Sequence, residues 1–410
     1  MKTVMVSNYI NHHQIPFCDA MYKRLGEDFV FIQTEEMESE RANMGWSADV
    51  SSIPYVKCSY EAPEETKDLI MDCDLLIAGW TKSPELYEER LAAGKLTFRL
   101  SERLYREGQW KFISPKGLVN KYKEHIKYKK KPVFALCVGA YVASDFNLIG
   151  AYPGKRYKFG YFPATKEFTW DELYEKKGRL HTVEVEKKEY LPEEPPVLTD
   201  KEINIVWAGR FLPLKHPEYA VMLTRDLVKK GYRFHVHLIG DGEMADSLRS
   251  FIQDEMVEDY VTMYGFLEPD KVREIMEKSH IHIFSSNFIE GWGAVVNEGM
   301  NSGCAEIVND EIGCAKYLIE DGVNGLLYHE GEYKDLLNKV LYLFDNPAEI
   351  ERLGFAAYET IVNEWNADVA ADRIIDFYKN YEEGNIASYP DGPMSVAEVL
   401  KPGFFKTGKL

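Results

Sequence analysis

The stretch Ile203-Asn-Ile-Val-Trp-Ala-Gly-Arg-Phe-Leu-Pro-Leu-Lys-His216 decides the fold. An apolar run of strand length, Ile203–Gly209, ends on a glycine, and two cations follow in a loop. Helical periodicity then covers Pro217–Lys230, before the next apolar run at Phe234–Gly240. Unbroken apolar strands are those buried on both faces, and a strand–helix–strand unit of this length makes its two strands parallel.

The same alternation extends in both directions. Downstream, strands are expected at Val261–Tyr264, Ile281–Ser285 and Ala305–Asn309, with helices at Glu243–Gln253, Pro269–Lys278 and Ala294–Ser302. Upstream, Thr3–Ser7, Phe29–Gln33, Asp74–Ala78, Leu96–Leu100 and Pro132–Val138 read as buried strands. Pro16–Leu25, Pro84–Ala93 and Asn120–Tyr128 read as helices between them. The pattern lapses over residues 163–202, which end in the proline-rich acidic run Leu191-Pro-Glu-Glu-Pro-Pro-Val-Leu-Thr-Asp200. Helices at Pro347–Val362 and Ala367–Tyr381 and a Gly- and Pro-rich tail close the chain. The expected organisation is α/β: a Rossmann-like domain at 1–165, a second at 166–380 preceded by a linker (166–202), and a tail at 381–410 returning toward the first. No period of 20–50 residues recurs, which excludes solenoids and propellers.

At 410 residues the chain is too long for one ordinary core. Its 45% hydrophobic and 28% charged residues are those of a folded protein. A net charge of −18 disfavours nucleic acid as a partner. The six cysteines show no C-x-x-C spacing, no apolar run reaches membrane-spanning length, and Met1–Ile10 lacks a signal-peptide core. Free thiols in a reducing cytoplasm are the expectation.

Four features of the second half carry chemistry. Arg210 and Lys215 project from a strand-end loop, where open α/β sheets bind ligands, and two cations there can neutralise a diphosphate. Paired surface cations are the plain alternative. In Ser285-Ser-Asn-Phe-Ile-Glu-Gly-Trp-Gly-Ala-Val-Val-Asn-Glu298, Glu290 lies in a glycine-bearing loop and Glu298 on the following helix. Carboxylates accept hydrogen bonds from adjacent sugar hydroxyls, and the helix start near Gly293–Ala294 offers N–H groups to an anion. Leu238-Ile-Gly-Asp-Gly-Glu243 is a Gly-x-Gly turn that any βα unit can use. Thr262-Met-Tyr-Gly-Phe-Leu-Glu-Pro269 is a further strand-end loop.

Taken in order, these residues resemble the C-terminal domain of the retaining glycosyltransferases of family four. Their GT-B architecture has two Rossmann-like parallel-sheet domains facing a central cleft. The matching signatures are Gly-Arg-x4-Lys at Gly209–Lys215, Gly-x-Gly at Gly240–Gly242, E-x7-E at Glu290–Glu298 with Gly-Met-Asn-Ser-Gly303 after it, and Asp321-Gly-x-Asn-Gly-Leu326. They span about residues 203–330. The resemblance implies a nucleotide-sugar donor, such as a UDP- or GDP-sugar, with its diphosphate on Arg210 and Lys215. It places Glu290 and the backbone of Gly291, Trp292, Gly293 and Ala294 beside the donor sugar, with Gly209 and Gly240 lining the site. Glu298 would take the ribose, and Gly265–Leu267, with Leu267 at its end, the nucleobase edge. No metal or cofactor is implied, since two cations take a metal's place at the leaving phosphate. The lone D-x-D, Asp72-Cys-Asp74, reads as structural.

The first half matches less well. The family's Gly-Gly turn after the first strand is absent from Ser7-Asn-Tyr-Ile-Asn-His-His-Gln-Ile-Pro16, where His12 and His13 stand instead. The family's His after a middle strand is also missing, and Ser101, Glu102 and Arg103 occupy that place. His12, His13, Glu102 and Arg103 are the acceptor-side candidates, for a saccharide or lipid-linked saccharide. From Lys95 to Lys131 twelve Lys or Arg stand against three Glu, with aromatics interleaved. Such a surface suits peripheral contact with an anionic membrane face, and a solvated basic helix is the alternative. A GT-B-fold nucleotide-sugar epimerase or hydrolase, and a non-catalytic nucleotide-sugar-binding protein, are the competing readings. No G-x-G-x-x-G follows the first strand of either half, which disfavours a nicotinamide dehydrogenase.

Overall fold

The computed structural model describes residues 1–37, 50–180 and 201–401. The proline-rich run at 191–200 and the end of the tail, 402–410, lie outside them. The chain divides into two units, Met1–Ala164 with Glu364–Leu410, and Thr165–Asn363.

The first unit is a seven-stranded parallel sheet. Its strands are β1 (Thr3–Ser7), β2 (Phe29–Gln33), β3 (Val56–Cys58), β4 (Leu75–Ala78), β5 (Thr97–Ser101), β6 (Val133–Val138) and β7 (Arg156–Phe159), in the order β3-β2-β1-β4-β5-β6-β7. Every pairing is parallel. Both faces are covered, which is why the central strands read as unbroken apolar runs. Val6, Leu76, Ala78, Val133 and Ala135 pack on one side with Leu91, Val142 and Phe146. On the other, Phe98, Phe134 and Tyr157 meet Phe377 edge-on at 5.0–5.5 Å. Phe377 belongs to the helix Ala367–Glu382. That packing puts the helix in the first unit, whereas the sequence reading ends the second domain at 380. Residues 394–397 run antiparallel beside β7, with Lys158 N–H donating to Ser395 O at 2.7 Å.

The second unit has six parallel strands: β8 (Ile203–Ala208), β9 (Phe234–Ile239), β10 (Val261–Gly265), β11 (Ile281–Phe284), β12 (Ala305–Asn309) and β13 (Leu326–Tyr328). Their order is β10-β9-β8-β11-β12-β13. Ile203, Ile205, Trp207, Val236, Leu238, Ile281 and Ile307 form the inner face of its main core, which Leu223, Leu248 and Val340 cover. The expected linker contains a helix, Trp170–Lys177, opened by a capping box between Thr169 and Glu172. Leu173 of this helix is fully buried. Residues 165–180 are therefore part of the second unit's body.

The expected helix at Asn120–Tyr128 begins earlier. Ser114 caps Pro115–Glu124 by accepting from Gly117 N–H, with Pro115 in the first turn, and a separate 3-10 turn follows at Ile126–Tyr128. All six cysteines are free, and only Cys58 is not buried. Asp74 of the D-x-D accepts from Lys2 N–H at 2.8 Å, a structural role.

Candidate functional site

The second sheet reverses its strand order between β8 and β11, which are neighbours although β9 and β10 separate them in sequence. Loops leaving such a pair part to opposite sides and open a crevice at the strands' carboxyl ends. Arg210 and Lys215 stand on the loop after β8, and Glu290 stands on the loop after β11.

The two loops are fastened together. Ser285 Oγ lies 2.8 Å from Lys215 O and 2.9 Å from His216 O, and it accepts from the indole N–H of Trp207 at 2.8 Å. Asn287 N–H donates to Leu214 O at 2.8 Å, and the side chain of Asn287 accepts from Ile289 N–H at 3.0 Å. Lys215 and Glu290 then form an ion pair with about one-sixth of each side chain exposed. The Lys215 ammonium also lies 5.1 Å from the centre of the Phe284 ring. Arg210 is exposed and makes no ion pair or side-chain hydrogen bond among the described residues. One cation is thus fixed against a carboxylate, and the other is open to an anion.

Glycines set how near the loops come. A Cβ on Gly240 would lie 1.8 Å from Gly209 O, and its φ of +140° is one that side-chain-bearing residues avoid. Gly242 likewise leaves room for Phe211 O. The weak Gly-x-Gly signal therefore marks the close approach of the β9 loop to the loop carrying Arg210. Gly293, at φ +93°, opens the helix Ala294–Asn301 and would clash with the Phe284 ring if substituted. The first N–H groups of that helix, from Ala294 on, have no partner within it.

Not every expected donor contact faces outward. Trp292 is 1% exposed and its indole N–H donates to Asn297 Oδ1 at 2.9 Å, so its ring braces the loop and is not presented to a ligand. Gly291 is buried, and its carbonyl abuts Gly313, where a Cβ would come within 1.8 Å. Leu267 packs into the small core of Val206, Ala208, Ile239, Met276 and Cys304. The exposed ring of the expected loop Gly265–Leu267 belongs to Phe266, not to Leu267.

Glu298 is half-buried, and its carboxyl accepts no hydrogen bond from a described residue. Burial pushes its pKa above the usual carboxylate range, against the pull of Arg273 and His282. Beneath it lies a fully buried pair, His282 Nδ1 and Glu306 Oε2 at 2.7 Å, on facing positions of β11 and β12. Gly299 leaves room for the pair, since a Cβ there would meet Glu306 Oε1 at 2.1 Å.

In the first unit the reversal falls between β1 and β4. The His13 ring lies 6.3 Å from the Tyr161 ring and close to parallel with it, and His12 lies beside His13 at 3.8 Å. Tyr161 Oη donates to Glu102 Oε1 at 2.7 Å, and Arg106 pairs with the other oxygen of Glu102. Three of the four acceptor-side candidates thus gather around Tyr161, which no sequence signal marked. Burial pushes His13 down to about 3, with repulsion from His12 adding to it, and burial also lowers His12. Both imidazoles are neutral at pH 7.

Arg103 does not join them. Its side chain is 1% exposed and turns inward to Asp145 at 3.5 Å, over the Tyr141 ring. Asp145, wholly buried, also accepts from Tyr105 N–H and Gln109 Nε2, so Arg103 is a core charge held by a carboxylate. Trp80, after β4 at the same end of the sheet, is 61% exposed, and its carbonyl accepts from Asn8 N–H at 2.8 Å. Among the described residues no three His, Cys, Asp or Glu side chains are grouped to hold a metal ion.

Residues 192–360 match the family model "Glycosyl transferases group 1". Over 182 residues the chain is 25% identical to alpha-D-kanosaminyltransferase of Streptomyces kanamyceticus, covering 44% of this chain and 46% of that one. Over 173 residues it is 24% identical to poly(ribitol-phosphate) alpha-N-acetylglucosaminyltransferase of Staphylococcus aureus, covering 42% and 34% respectively. The match thus spans less than half the length of these curated relatives. Among solved structures, HepE of Anabaena in complex with UDP superposes with a TM-score of 0.64 at 14% identity, over 92% of this chain and 99% of that one. The fold is that of the GT-B glycosyltransferases, with two Rossmann-like parallel-sheet domains.

Proposed function

We propose that this chain is a glycosyltransferase that moves a sugar from a nucleotide-sugar donor to an acceptor hydroxyl, with retention of anomeric configuration and without a metal. The observation that carries the reading is the Lys215–Glu290 pair, built from the two loops that flank the strand reversal of the second sheet. HepE, solved with UDP and with UDP-glucose, supports a nucleotide sugar as the donor.

Arg210 and Lys215 hold the donor diphosphate. An ammonium has three N–H donors, so Lys215 can keep Glu290 and still donate to a phosphate oxygen. Glu290 accepts from the donor sugar's hydroxyls, and the unpartnered carboxyl of Glu298 takes the ribose. The anomeric C–O bond to the diphosphate breaks while the acceptor oxygen bonds to the same face, and the acceptor's proton passes to the departing phosphate oxygen. Fixed positive charge aimed at that oxygen lowers the barrier. The acceptor is a polyhydroxylated glycoconjugate or polymer, the class that the poly(ribitol-phosphate) relative's name describes. His13, Tyr161 and Glu102 supply its polar contacts.

The test is incubation with a panel of labelled UDP- and GDP-sugars and glycan acceptors, with the product's anomer read by NMR. A retained linkage that disappears in Lys215→Ala and Glu290→Ala variants is expected. Full transfer in both folded variants, or quantitative conversion of the donor with no acceptor present, would overturn the reading.

A further inference from the structure

Five large apolar side chains crowd one short stretch of the first unit: Trp110, Ile113, Leu118, Val119 and Tyr122, each 37–66% exposed. They ride on the 3-10 turn Gln109–Ile113 and on the helix Pro115–Glu124, in which no residue is buried. At about 3.6 residues per turn, Leu118, Val119 and Tyr122 share one strip of that helix. Lys116 and Lys123 border the strip on one side and Lys121 on the other, while Glu124 lies opposite. A helix that served only to pack would turn this strip inward, and one that served only as solvated surface would not carry it.

Charge identifies what covers the strip. Lys121 pairs with Glu124 at 2.6 Å and Lys111 with Glu107. Lys116, Lys123, Lys129 and Lys130 make no ion pair among the described residues. Between Lys95 and Lys131 twelve Lys or Arg stand against three Glu within a chain of net charge −18, and of the twelve Arg103 is buried against Asp145. An apolar strip bordered by cations and carrying Trp and Tyr matches the boundary between anionic headgroups and acyl chains. No helix among the described residues is long and apolar enough to cross a membrane.

We infer that this face of the first unit docks on an anionic lipid bilayer, with Trp110, Ile113 and Leu118 entering the headgroup–acyl boundary and the unpaired lysines meeting lipid phosphates. The inference stands apart from the donor site, which lies in the other unit, so either can fail without the other. Each lysine near an anionic surface strengthens partitioning about fivefold.

Flotation of the full chain with vesicles of phosphatidylcholine, alone or mixed with phosphatidylglycerol, tests it. The protein floats with the mixed vesicles at low salt, stays behind with phosphatidylcholine, and is released as salt rises. Lys116→Glu with Lys123→Glu lowers the partition coefficient about 25-fold or more. Trp110→Ser with Leu118→Ser abolishes binding while the unfolding midpoint is unchanged. If the apolar variant unfolds, the lysine variant decides. Failure of the wild type to float would overturn the inference, as would equal flotation of the variants. A concentration-dependent dimer that Leu118→Ser dissociates would assign the face to a second copy instead and would equally overturn it.

Discussion

Lys215 and Glu290 are 75 residues apart in sequence and meet as a partly buried ion pair. Each was visible beforehand because a short local spacing, Gly-Arg-x4-Lys or E-x7-E, marks it. Removing the ammonium leaves a carboxylate alone and, in the proposed reaction, takes away charge stabilisation at the leaving phosphate. Lys215→Ala is expected to lower kcat about 10²–10³-fold with the fold retained, as steady-state kinetics beside circular dichroism would show. The grouping of His13, Tyr161 and Glu102 was not legible, since three separate strand ends supply it and no spacing records their meeting. Arg103 was misplaced for a related reason: its inward turn answers Asp145, 42 positions along the chain. His13 has a proton affinity lowered from 6.5 to about 3 in the fold. Between these pH values the unfolded chain binds the extra proton, so stability falls as pH drops through that window. His13→Asn should flatten the fall by at most about 1.4 kcal/mol per pH unit, measured by denaturant titration at several pH values. An unchanged slope would show that the imidazole is not held neutral.

At the scale of elements, strands buried on both faces announce themselves as apolar runs, and β1, β2 and β12 fall on the residues expected. β3, β7 and β13 were missed, being three or four residues long and at or beside sheet edges. β7, Arg156-Tyr-Lys-Phe159, is half-buried and carries two cations, so it offers little contrast with a loop. The Gly-x-Gly turn after β9 was legible as a turn but not as a contact. Its purpose appears only where Gly240 approaches Gly209 O. Gly240→Ala is expected to cost about 2–4 kcal/mol through the clash and the positive φ, and to weaken nucleotide-sugar binding at the neighbouring Arg210 loop. Denaturant unfolding and a binding titration measure the two effects. A neutral substitution would mean the two loops are not held at this distance.

At the scale of the whole molecule, two doubly wound units were legible from alternation alone, because each strand–helix repeat imposes a parallel neighbour. Their boundaries were less so. The helix Ala367–Glu382 follows the second unit in sequence yet buries Phe377 among Phe98, Phe134 and Tyr157 of the first. An aromatic contact across some 280 positions leaves no local trace. Phe377→Ala should destabilise the first unit by about 3–5 kcal/mol, with hydrogen exchange rising in β5–β7 and unchanged in β8–β13. Exchange rising equally in both units would contradict this division. Thermal unfolding of the full chain with UDP- and GDP-sugars tests whether the loops after β8 and β11 grip the diphosphate of a nucleotide sugar. A ligand that binds only the folded state raises the unfolding temperature. A saturable rise with at least one nucleotide sugar, lost in both Arg210→Ala and Lys215→Ala, is expected. No rise with any of them, or the same rise in both variants, would contradict it.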